Sequence, residues 1–339
     1  MTKKKKINIA VLMGGKSSEH EISLISGAEV VKNLDPKKYN VFPIEIAKDG
    51  ITWQLKSKDK YFLNTKSKKS IKKTKAVEIK QHRNLLKDNS VNVVFIAMHG
   101  PNGEDGTIQG LLELIGIPYT GSGVLASALG MDKIYSRNLF IQAGLAVPET
   151  VILTGSDPVN NVWKTLRPPI FVKPSNQGSS VGTSKVNSKK GLPKALKLAF
   201  SYNDRVLVEE FIDGTEITCG ILGNEKPIVL PIVEIVTKNE FFDYEAKYSE
   251  TLTEEIVPAR INKKLTRKAQ DSALIAYESL NCRGFGRVDM ITKDNNIYTL
   301  EVNTIPGLTP MSLFPKAAKA AGITYSNLLD RVIASALNP

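Results

Sequence analysis

The chain has 339 residues, of which 42% are hydrophobic and 24% charged, and its formal net charge is +12. This length allows two or three domains with sizeable cores, and the composition is that of a soluble globular protein. No apolar run approaches the roughly 20 residues that a membrane span needs. The lysine-rich start lacks the apolar region of a signal peptide, and the two cysteines, Cys219 and Cys282, are too few for a disulfide framework, so we expect a cytoplasmic protein.

Much of the positive charge lies in one stretch, which has ten lysines between Lys56 and Lys80 and no arginine. Its only aromatic residues are the pair Tyr61-Phe62. Proteins that bind single-stranded nucleic acid interleave aromatic residues with basic ones, and specific readers favour arginine. The stretch therefore indicates a solvated excursion, a hairpin or a short helix. A contact with a polyanion is the alternative.

The N-terminal third predicts a small α/β domain with a parallel sheet. Ile7 to Met13 is an unbroken apolar strand that ends in Gly14-Gly15 and leads into a helix, and a second apolar strand runs from Val93 to Met98. Strands that are buried on both faces and alternate with helices are typical of parallel sheets. We place the boundary of this domain near Gly121.

The rest of the chain predicts α+β organisation. Strands are expected from Ile170 to Lys173, from Val206 to Phe211 and from Ile228 to Val236, with helices from Ser188 to Phe200 and from Leu265 to Leu280. The predicted domains are therefore residues 1–121, 122–209 and 210–339.

Two predicted strands near the C-terminus carry several polar side chains, and they are the strongest indication of a ligand-binding site. Side chains two apart on a strand share a face, which pairs Arg287 with Asp289 and Glu301 with Asn303. Val288, Leu300 and Val302 are then expected to point into the core. Carboxylate and amide oxygens are ligands for Mg²⁺, and an arginine beside them can hold a phosphate or carboxylate.

A second signal is the glycine- and serine-rich loop from Pro174 to Gly182, whose backbone N–H groups and hydroxyls can surround phosphate oxygens. A plain Gly/Ser hairpin is the alternative, and Lys173 directly before the loop favours phosphate binding. Glu209, Glu210 and Glu216 follow at the end of a strand, where they could contact a ribose or adenine or simply be solvated acids.

The segment Gly14 to Glu21 and the turn that begins with His99-Gly100 are weaker signals. Glycines let a ligand approach a helix N-terminus, but helix capping explains the serines and Glu21 equally well. His99 follows a buried strand, where a binding role and a structural role are about equally plausible.

Taken together, these segments resemble the D-alanine–D-alanine ligases of the ATP-grasp superfamily, and the match runs nearly end to end in the expected order. The matching motifs are Gly14 to Ser23, His99-Gly100 with Gly103 to Gly106, Tyr119 to Gly123 with Met131 to Lys133, Val172 to Gly182, Asp243 to Tyr248, Gly286 to Asp289, and Glu301 to Gly307.

The resemblance implies a three-domain ATP-grasp fold that combines α/β and α+β parts, with a parallel-sheet domain at the N-terminus. It implies the reaction ATP + 2 D-alanine → D-alanyl-D-alanine + ADP + phosphate, through a D-alanyl phosphate, for peptidoglycan precursor synthesis. The implied cofactors are ATP and two Mg²⁺, with Mn²⁺ as a possible substitute, and the implied assembly is a homodimer without a nucleic-acid or membrane partner.

The resemblance also assigns roles residue by residue. Metal ligands are Asp289, Glu301 and Asn303; nucleotide contacts are Lys133, Lys173, Gly178, Ser179, Ser180, Val181, Glu209, Glu210, Glu216 and Lys247; substrate contacts are Glu19, His99, Ser312 and Leu313. The catalytic set is Glu19, Ser179, Tyr248, Arg287, Gly307 and Lys247.

Asp243 to Thr251 matches a loop that closes over the site, and Lys247 and Tyr248 belong to it. The nearest alternative is a D-alanine–D-lactate or D-alanine–D-serine ligase of the same fold. Relatives that use D-lactate carry a different loop without this tyrosine, so Lys247-Tyr248 favours the dipeptide over the depsipeptide.

Overall fold

A computed structural model of the chain describes residues 5–62, 79–237 and 253–338. The strands form three sheets. They are β1 Ile7–Gly14, β2 Tyr39–Ile46, β3 Trp53–Leu55, β4 Val93–Ile96, β5 Thr150–Thr154, β6 Ile170–Pro174, β7 Ser184–Val186, β8 Arg205–Glu210, β9 Thr215–Leu222, β10 Ile228–Val229, β11 Val233–Thr237, β12 Thr253–Ile256, β13 Phe285–Lys293 and β14 Asn296–Asn303.

Helices pack around these sheets. They are α1 His20–Asn33, α2 Asp59–Phe62, α3 Ile79–Asp88, α4 Thr107–Ile115, α5 Val124–Met131, α6 Lys133–Gln142, α7 Val162–Thr165, α8 Leu192–Phe200, α9 Lys263–Ser279, α10 Leu313–Ala320 and α11 Tyr325–Leu337. None of the helices in the described ranges combines the length and the apolar character that crossing a membrane requires.

The first sheet has the strand order β3-β2-β1-β4, and β1 pairs in parallel with both β2 and β4. Only the short edge strand β3 is antiparallel. The ends of β1 and β4 are joined through Ser23, whose Oγ accepts from the N–H of Gly14 and donates to the carbonyl of Ala97 at 2.7 Å each. Because parallel strands present their carboxyl ends at one edge, the start of α1 and the segment after β4 lie side by side.

The second sheet, β5-β8-β6-β7, is antiparallel, and the loop of residues 175–183 joins its strands β6 and β7. The third sheet has the order β12-β11-β9-β13-β14, with β10 beside β9. Its strands β13 and β14 run antiparallel and carry the polar residues that the sequence pointed to.

The three sheets do not share one core. Buried side chains of the first sheet form a continuous cluster with part of the third, which includes the contact of Phe285 with Phe314. The second sheet packs against α8 in a cluster of its own, which includes Val172 and Leu196. The polar ends of the second and third sheets are therefore left facing each other.

Two predicted elements differ from the structure at prolines. The strand expected from Ile228 to Val236 is interrupted between β10 and β11, where Pro231 cannot donate to the ladder. The helix expected from Ser188 begins only at Leu192 with Pro193 in its first turn, a position that suits proline because the N–H there has no helical partner.

Candidate active site

A cleft between the second and third sheets encloses about 870 Å³ of empty space, part of it open to solvent. Its walls combine charged side chains with an apolar patch. The charged and polar residues are Lys133, Lys173, Gln177, Ser180, Thr183, Glu209, Glu210, Glu216, Asp289 and Glu301. The apolar residues are Pro148, Phe171, Ile212, Ile291 and Leu300. Such a cleft suits a ligand with one flat apolar part and one anionic part.

Two lysines face this cleft from different elements. The Nζ of Lys173 lies 2.7 Å from Glu209, and the Nζ of Lys133 lies 3.1 Å from Glu301. Lys133 also donates to the carbonyl of Gln177 at 2.7 Å. Burial alone would lower the pKa of Lys173, but the carboxylates of Glu209, Glu301 and Glu216 together raise that pKa above its ordinary value, so the side chain stays cationic.

Lys133 is placed by the start of α6, which is tied to the second sheet. Asp132 caps the helix by accepting from the N–H of Ile134, and it also pairs with Arg205 of β8 at 2.7 Å. The backbone N–H of Lys133 donates to the carbonyl of Ser175. These contacts hold Lys133 over the loop of residues 175–183.

The loop between β6 and β7 has an unusual backbone. Ser179 and Ser180 adopt left-handed φ angles of 49° and 58°, and Gly182 has a φ of 73°. Left-handed conformations of residues other than glycine cost energy and cluster at ligand-binding sites. A Cβ on Gly182 would come within 2.7 Å of Tyr202, so this position needs glycine. The Val181 N–H donates back to the carbonyl of Gly178, which closes the turn.

The ladder between β13 and β14 sets the predicted metal residues against each other. Asp289 lies opposite Glu301, and Arg287 lies opposite Asn303. In the described ranges no group of three or more His, Cys, Asp or Glu side chains could hold a metal ion. Two carboxylates with the amide of Asn303 nevertheless make a set of hard oxygen donors that fits Mg²⁺ or Mn²⁺.

Asp289 is the centre of a hydrogen-bond network. Arg287 reaches its two carboxylate oxygens at 2.8 and 2.7 Å, the amide of Asn303 donates to Oδ2 at 2.9 Å, and the hydroxyl of Thr218 lies 2.6 Å from Oδ1. Burial alone would lower the pKa of Arg287, but the Asp289 carboxylate raises it further above its ordinary range. Arg287 therefore stays cationic at the end of the cleft.

One prediction about these strands is wrong. Leu300 does not point into the core with Val288 and Val302 but lines the cleft beside Glu301. The ladder shifts between Asp289 and Met290, so that β14 carries one extra residue there. Such a β-bulge turns two successive side chains toward the same side, which the simple alternation of a strand does not foresee.

Glu19 connects the first sheet to the phosphate-loop candidate. It is the residue before α1, it is buried, and its carboxylate accepts a short hydrogen bond from the hydroxyl of Ser179. A Cβ on Gly178 would lie 3.3 Å from the Glu19 carboxylate, and one on Gly100 would lie 2.9 Å from it. The two glycines allow both loops to close around this carboxylate.

His99 lies inside a buried network. Its Nε2 is 2.8 Å from the hydroxyl of Ser26, and its Nδ1 is 3.1 Å from the carbonyl of Ile305 and 3.3 Å from Glu104. Burial alone would lower the pKa of His99, but the Glu104 carboxylate outweighs it and raises that pKa. The histidine thereby joins the segment after β4 to the turn that follows β14.

Gly307 and Ser312 belong to that turn and lie close together, since a Cβ on Gly307 would be 2.9 Å from the Ser312 hydroxyl. Ser312 accepts from the N–H of Thr309 and precedes α10, whose first residue Leu313 has a buried side chain. Any contact of Leu313 with a polar ligand would therefore be made by its backbone.

The structure brings most of the expected nucleotide and metal positions together in one cleft, and the Glu19–Ser179 hydrogen bond links the first sheet to its loop. His99, Gly307, Ser312 and Leu313 do not line this cleft. Lys247 and Tyr248, with the rest of the expected closing loop, lie outside the described residues, as does most of the lysine-rich stretch. Sequence reasoning did not single out Gln177, Thr218 or the apolar wall. The period of two along β13 could have indicated Ile291, which shares the face of Asp289.

The fold and the cleft are those of an ATP-grasp enzyme. In this class of enzyme two sheets enclose a nucleotide, and carboxylates lie near the phosphates of that nucleotide. Comparison with known proteins refines this class. The family described as the D-ala D-ala ligase N-terminus matches residues 8–122, and that described as the D-ala D-ala ligase C-terminus matches residues 139–334.

Among curated relatives, the D-alanine–D-alanine ligase of Carboxydothermus hydrogenoformans is 41% identical over 96% of this chain and 97% of its own length. Among solved structures, the VanG D-Ala:D-Ser ligase of Enterococcus faecalis is 37% identical, with a TM-score of 0.84 over 97% of this chain and 99% of that one. The Bacillus anthracis D-alanine–D-alanine ligase complexed with ATP is 34% identical, with a TM-score of 0.77 over 98% of both chains. The chain belongs to the D-alanine–D-alanine ligase family, as its sequence motifs predicted.

Proposed function

We propose that this protein joins two D-alanine molecules into D-alanyl-D-alanine at the expense of ATP, for peptidoglycan precursor synthesis. The observation that carries the proposal is the hydrogen bond between Glu19 and Ser179. It brings a buried carboxylate, suited to an ammonium group, against a loop suited to phosphate. An enzyme that phosphorylates an amino acid needs these two sites in contact.

Different cleft residues contact different parts of the nucleotide. The apolar wall of Phe171, Ile212, Ile291 and Leu300 receives the adenine, and Glu209, Glu210 and Glu216 lie where they can bond the adenine or ribose. Lys133 and Lys173 hold the α- and β-phosphates and exchange their present carboxylate partners for phosphate oxygens. Gly178, Ser179, Ser180 and Val181 cover the γ-phosphate with backbone N–H groups.

Glu19 binds the ammonium group of the first D-alanine. The carboxylate of that D-alanine attacks the γ-phosphorus, ADP leaves, and D-alanyl phosphate forms. The amine of the second D-alanine, whose carboxylate is held at Ser312 and Leu313, then attacks the acyl phosphate and expels phosphate. Arg287 and the N–H of Gly307 stabilise the tetrahedral oxyanion, because both donate from fixed positions. His99 holds the Gly307 turn in place, and Lys247 and Tyr248 belong to the segment that shields the intermediate from water.

Asp289, Glu301 and Asn303 would hold two Mg²⁺ ions, with Mn²⁺ as a substitute, and bound metal would offset the charge of the phosphates. The opposed positions of the two carboxylates on β13 and β14 support this assignment.

We further propose that residues 1–121, 122–209 and 210–339 form three domains, which the three sheets and the separate core of the second sheet support. A homodimer and a cytoplasmic location complete the proposal, since the reaction consumes ATP. Light scattering of the purified protein would test the oligomeric state.

A D-alanine–D-serine or D-alanine–D-lactate ligase is the second candidate. The match to VanG, whose name specifies D-Ala:D-Ser, favours the D-serine form of this alternative. The residues expected to discriminate between them, Lys247 and Tyr248, lie outside the described ranges.

The decisive experiment measures phosphate release from ATP and Mg²⁺ with D-alanine, L-alanine, D-alanine plus D-serine and D-alanine plus D-lactate, and identifies the products by mass. We expect release with D-alanine alone and a D-alanyl-D-alanine product. A mixed product as the main species would move the assignment to the second candidate, and no turnover with any acceptor would contradict the proposal. Asp289→Asn should abolish release, whereas Asp271→Asn on the exposed face of α9 should not.

A further inference from the structure

Thr218 is the one partner of Asp289 that the proposed reaction does not use. The proposed reaction assigns Arg287 to the oxyanion and Asn303 to the metal. Both side chains would therefore contact other groups once substrates and metal are bound. Thr218 stands on β9 directly opposite Asp289 in the ladder, and only 1% of its surface is exposed. β9 is an interior strand between β11 and β13, and the burial of Thr218 keeps its hydroxyl away from solvent.

The hydroxyl of Thr218 has a single proton and two acceptors within reach. Oδ1 of Asp289 lies at 2.6 Å, and the carbonyl of Val288 lies at 3.0 Å. A hydrogen bond to an ionised carboxylate is shorter and stronger than one to a neutral carbonyl. The distances therefore assign the proton to Asp289.

We propose that Thr218 is a positioning residue for the divalent cation: its hydroxyl holds Oδ1 of Asp289 and thereby fixes the orientation of the carboxylate that would bind the cation. This inference rests on the proposed function, which makes Asp289 a ligand. A ligating carboxylate is held by outer hydrogen bonds, and the loss of such a partner typically weakens metal affinity about 10- to 100-fold. Arg287 and Asn303 can leave Asp289 during loading, while Thr218 stays fixed by the ladder.

The test is the affinity of the full-length protein for Mn²⁺ in the presence of a non-hydrolysable ATP analogue, measured from the resonance of free Mn²⁺. We expect Thr218→Val to weaken Mn²⁺ binding about tenfold and Thr218→Ser to restore it, because serine keeps the hydroxyl. Thr299→Val is the matched control, since Thr299 is equally buried in the same sheet and its hydroxyl makes no hydrogen bond to the part of the chain that the structure describes. In turnover, Thr218→Val should raise the Mg²⁺ requirement while the KM for D-alanine stays unchanged.

Asp289→Asn separates failure of this inference from failure of the proposed function. If Asp289→Asn loses Mn²⁺ and Thr218→Val binds it as the wild type does, the metal assignment stands and the role of Thr218 is wrong. If Asp289→Asn itself binds Mn²⁺ normally, Asp289 is not a ligand, and both the metal assignment and the role of Thr218 are wrong. Phosphate release by the wild type decides separately whether the proposed ligase function stands. Circular dichroism checks folding, and Thr218→Ala replaces the valine variant if that variant does not fold.

Discussion

At the scale of single residues, the cleft is a set of charges that already have partners. Lys173 pairs with Glu209, Lys133 with Glu301, and Arg287 with Asp289. Buried charges need such pairing, because an isolated one costs several kcal/mol. Under the proposed function, a nucleotide and its metal ions would therefore replace the partners of these existing ion pairs.

Ser179→Ala tests the contact between Glu19 and the phosphate loop. The substitution removes a hydrogen bond to a carboxylate, worth about 1.5–3 kcal/mol, and we expect kcat/KM for D-alanine to fall about 10- to 100-fold. Ser201→Ala, which removes an exposed hydroxyl at the end of α8, should leave kcat/KM unchanged. Wild-type kinetics for Ser179→Ala would show that the contact is incidental.

At the scale of elements, functional groups are placed by turns and strand ends that other elements hold. The turn after β14 is an example, because Tyr325 at the start of α11 donates a short hydrogen bond to the carbonyl of Leu308. Burial raises the pKa of Tyr325, so its proton remains available for this bond. This contact fixes the backbone next to Gly307, whose N–H we propose as an oxyanion donor.

Tyr325→Phe should lower kcat about fivefold while the fold is kept, since about 1 kcal/mol of hydrogen bonding is lost without a change in packing. Tyr277→Phe is the control, because Tyr277 donates to the carbonyl of Gly223, outside the turn. Steady-state kinetics with D-alanine distinguish the two variants. An equal effect of both substitutions would rule out a specific role for Tyr325.

An ion pair between β11 and the segment after β12 gives a prediction about pH. Arg260 donates to the buried carboxylate of Glu234 and lowers the pKa of Glu234 below its ordinary value of 4.5. A lowered pKa means that the pair contributes stability above pH 4.5 and that this contribution is lost as the pH falls through the lowered value.

Glu234→Gln should therefore reduce the free energy of unfolding at pH 7, by no more than about 1 kcal/mol because Arg260 is largely exposed. The difference from the wild type should vanish at acidic pH. Urea unfolding between pH 7 and pH 3 measures it. A difference that grew on acidification would contradict the assigned sign.

At the scale of the whole molecule, the first sheet shares a core with part of the third sheet, the rest of the third sheet packs in a second cluster, and the second sheet has a core of its own. The cleft that we propose for the nucleotide lies between the second and third sheets, so a ligand there would contact two separately packed parts of the molecule. Binding should then stabilise the arrangement of the sheets as well as the residues that touch the ligand.

A non-hydrolysable ATP analogue with Mg²⁺, at 100 times its dissociation constant, should stabilise the protein by about 2.7 kcal/mol. Thermal unfolding followed by calorimetry measures the stabilisation as a shift in the melting temperature. Lys173→Met should reduce the shift at equal ligand concentration, whereas Lys194→Met on exposed α8 should not. If Lys173→Met gave an unchanged shift, the nucleotide would bind elsewhere.

Much of this protein is readable from local sequence. The apolar strand Ile7 to Met13, the polar alternation along β13 and the glycines near Ser179 each have a local physical cause, namely burial on both faces, a period of two and a backbone that needs left-handed angles. These signals indicated the family and the ligase chemistry, because motifs in a fixed order are local properties of the chain.

The tertiary structure alone decided which distant groups meet. A β-bulge moved Leu300 from the core to the cleft, and ladder register placed Thr218 of β9 against Asp289 of β13. Neither follows from spacing along the chain, because a bulge or a one-residue slip changes which side chains share a face without changing the pattern of residues. The hydrogen bond between Tyr325 and Leu308 likewise depends on how α10 and α11 pack, because α10 separates the two residues along the chain. Sequence determines the chemistry that each segment can offer, and packing determines which segments offer it at the same point.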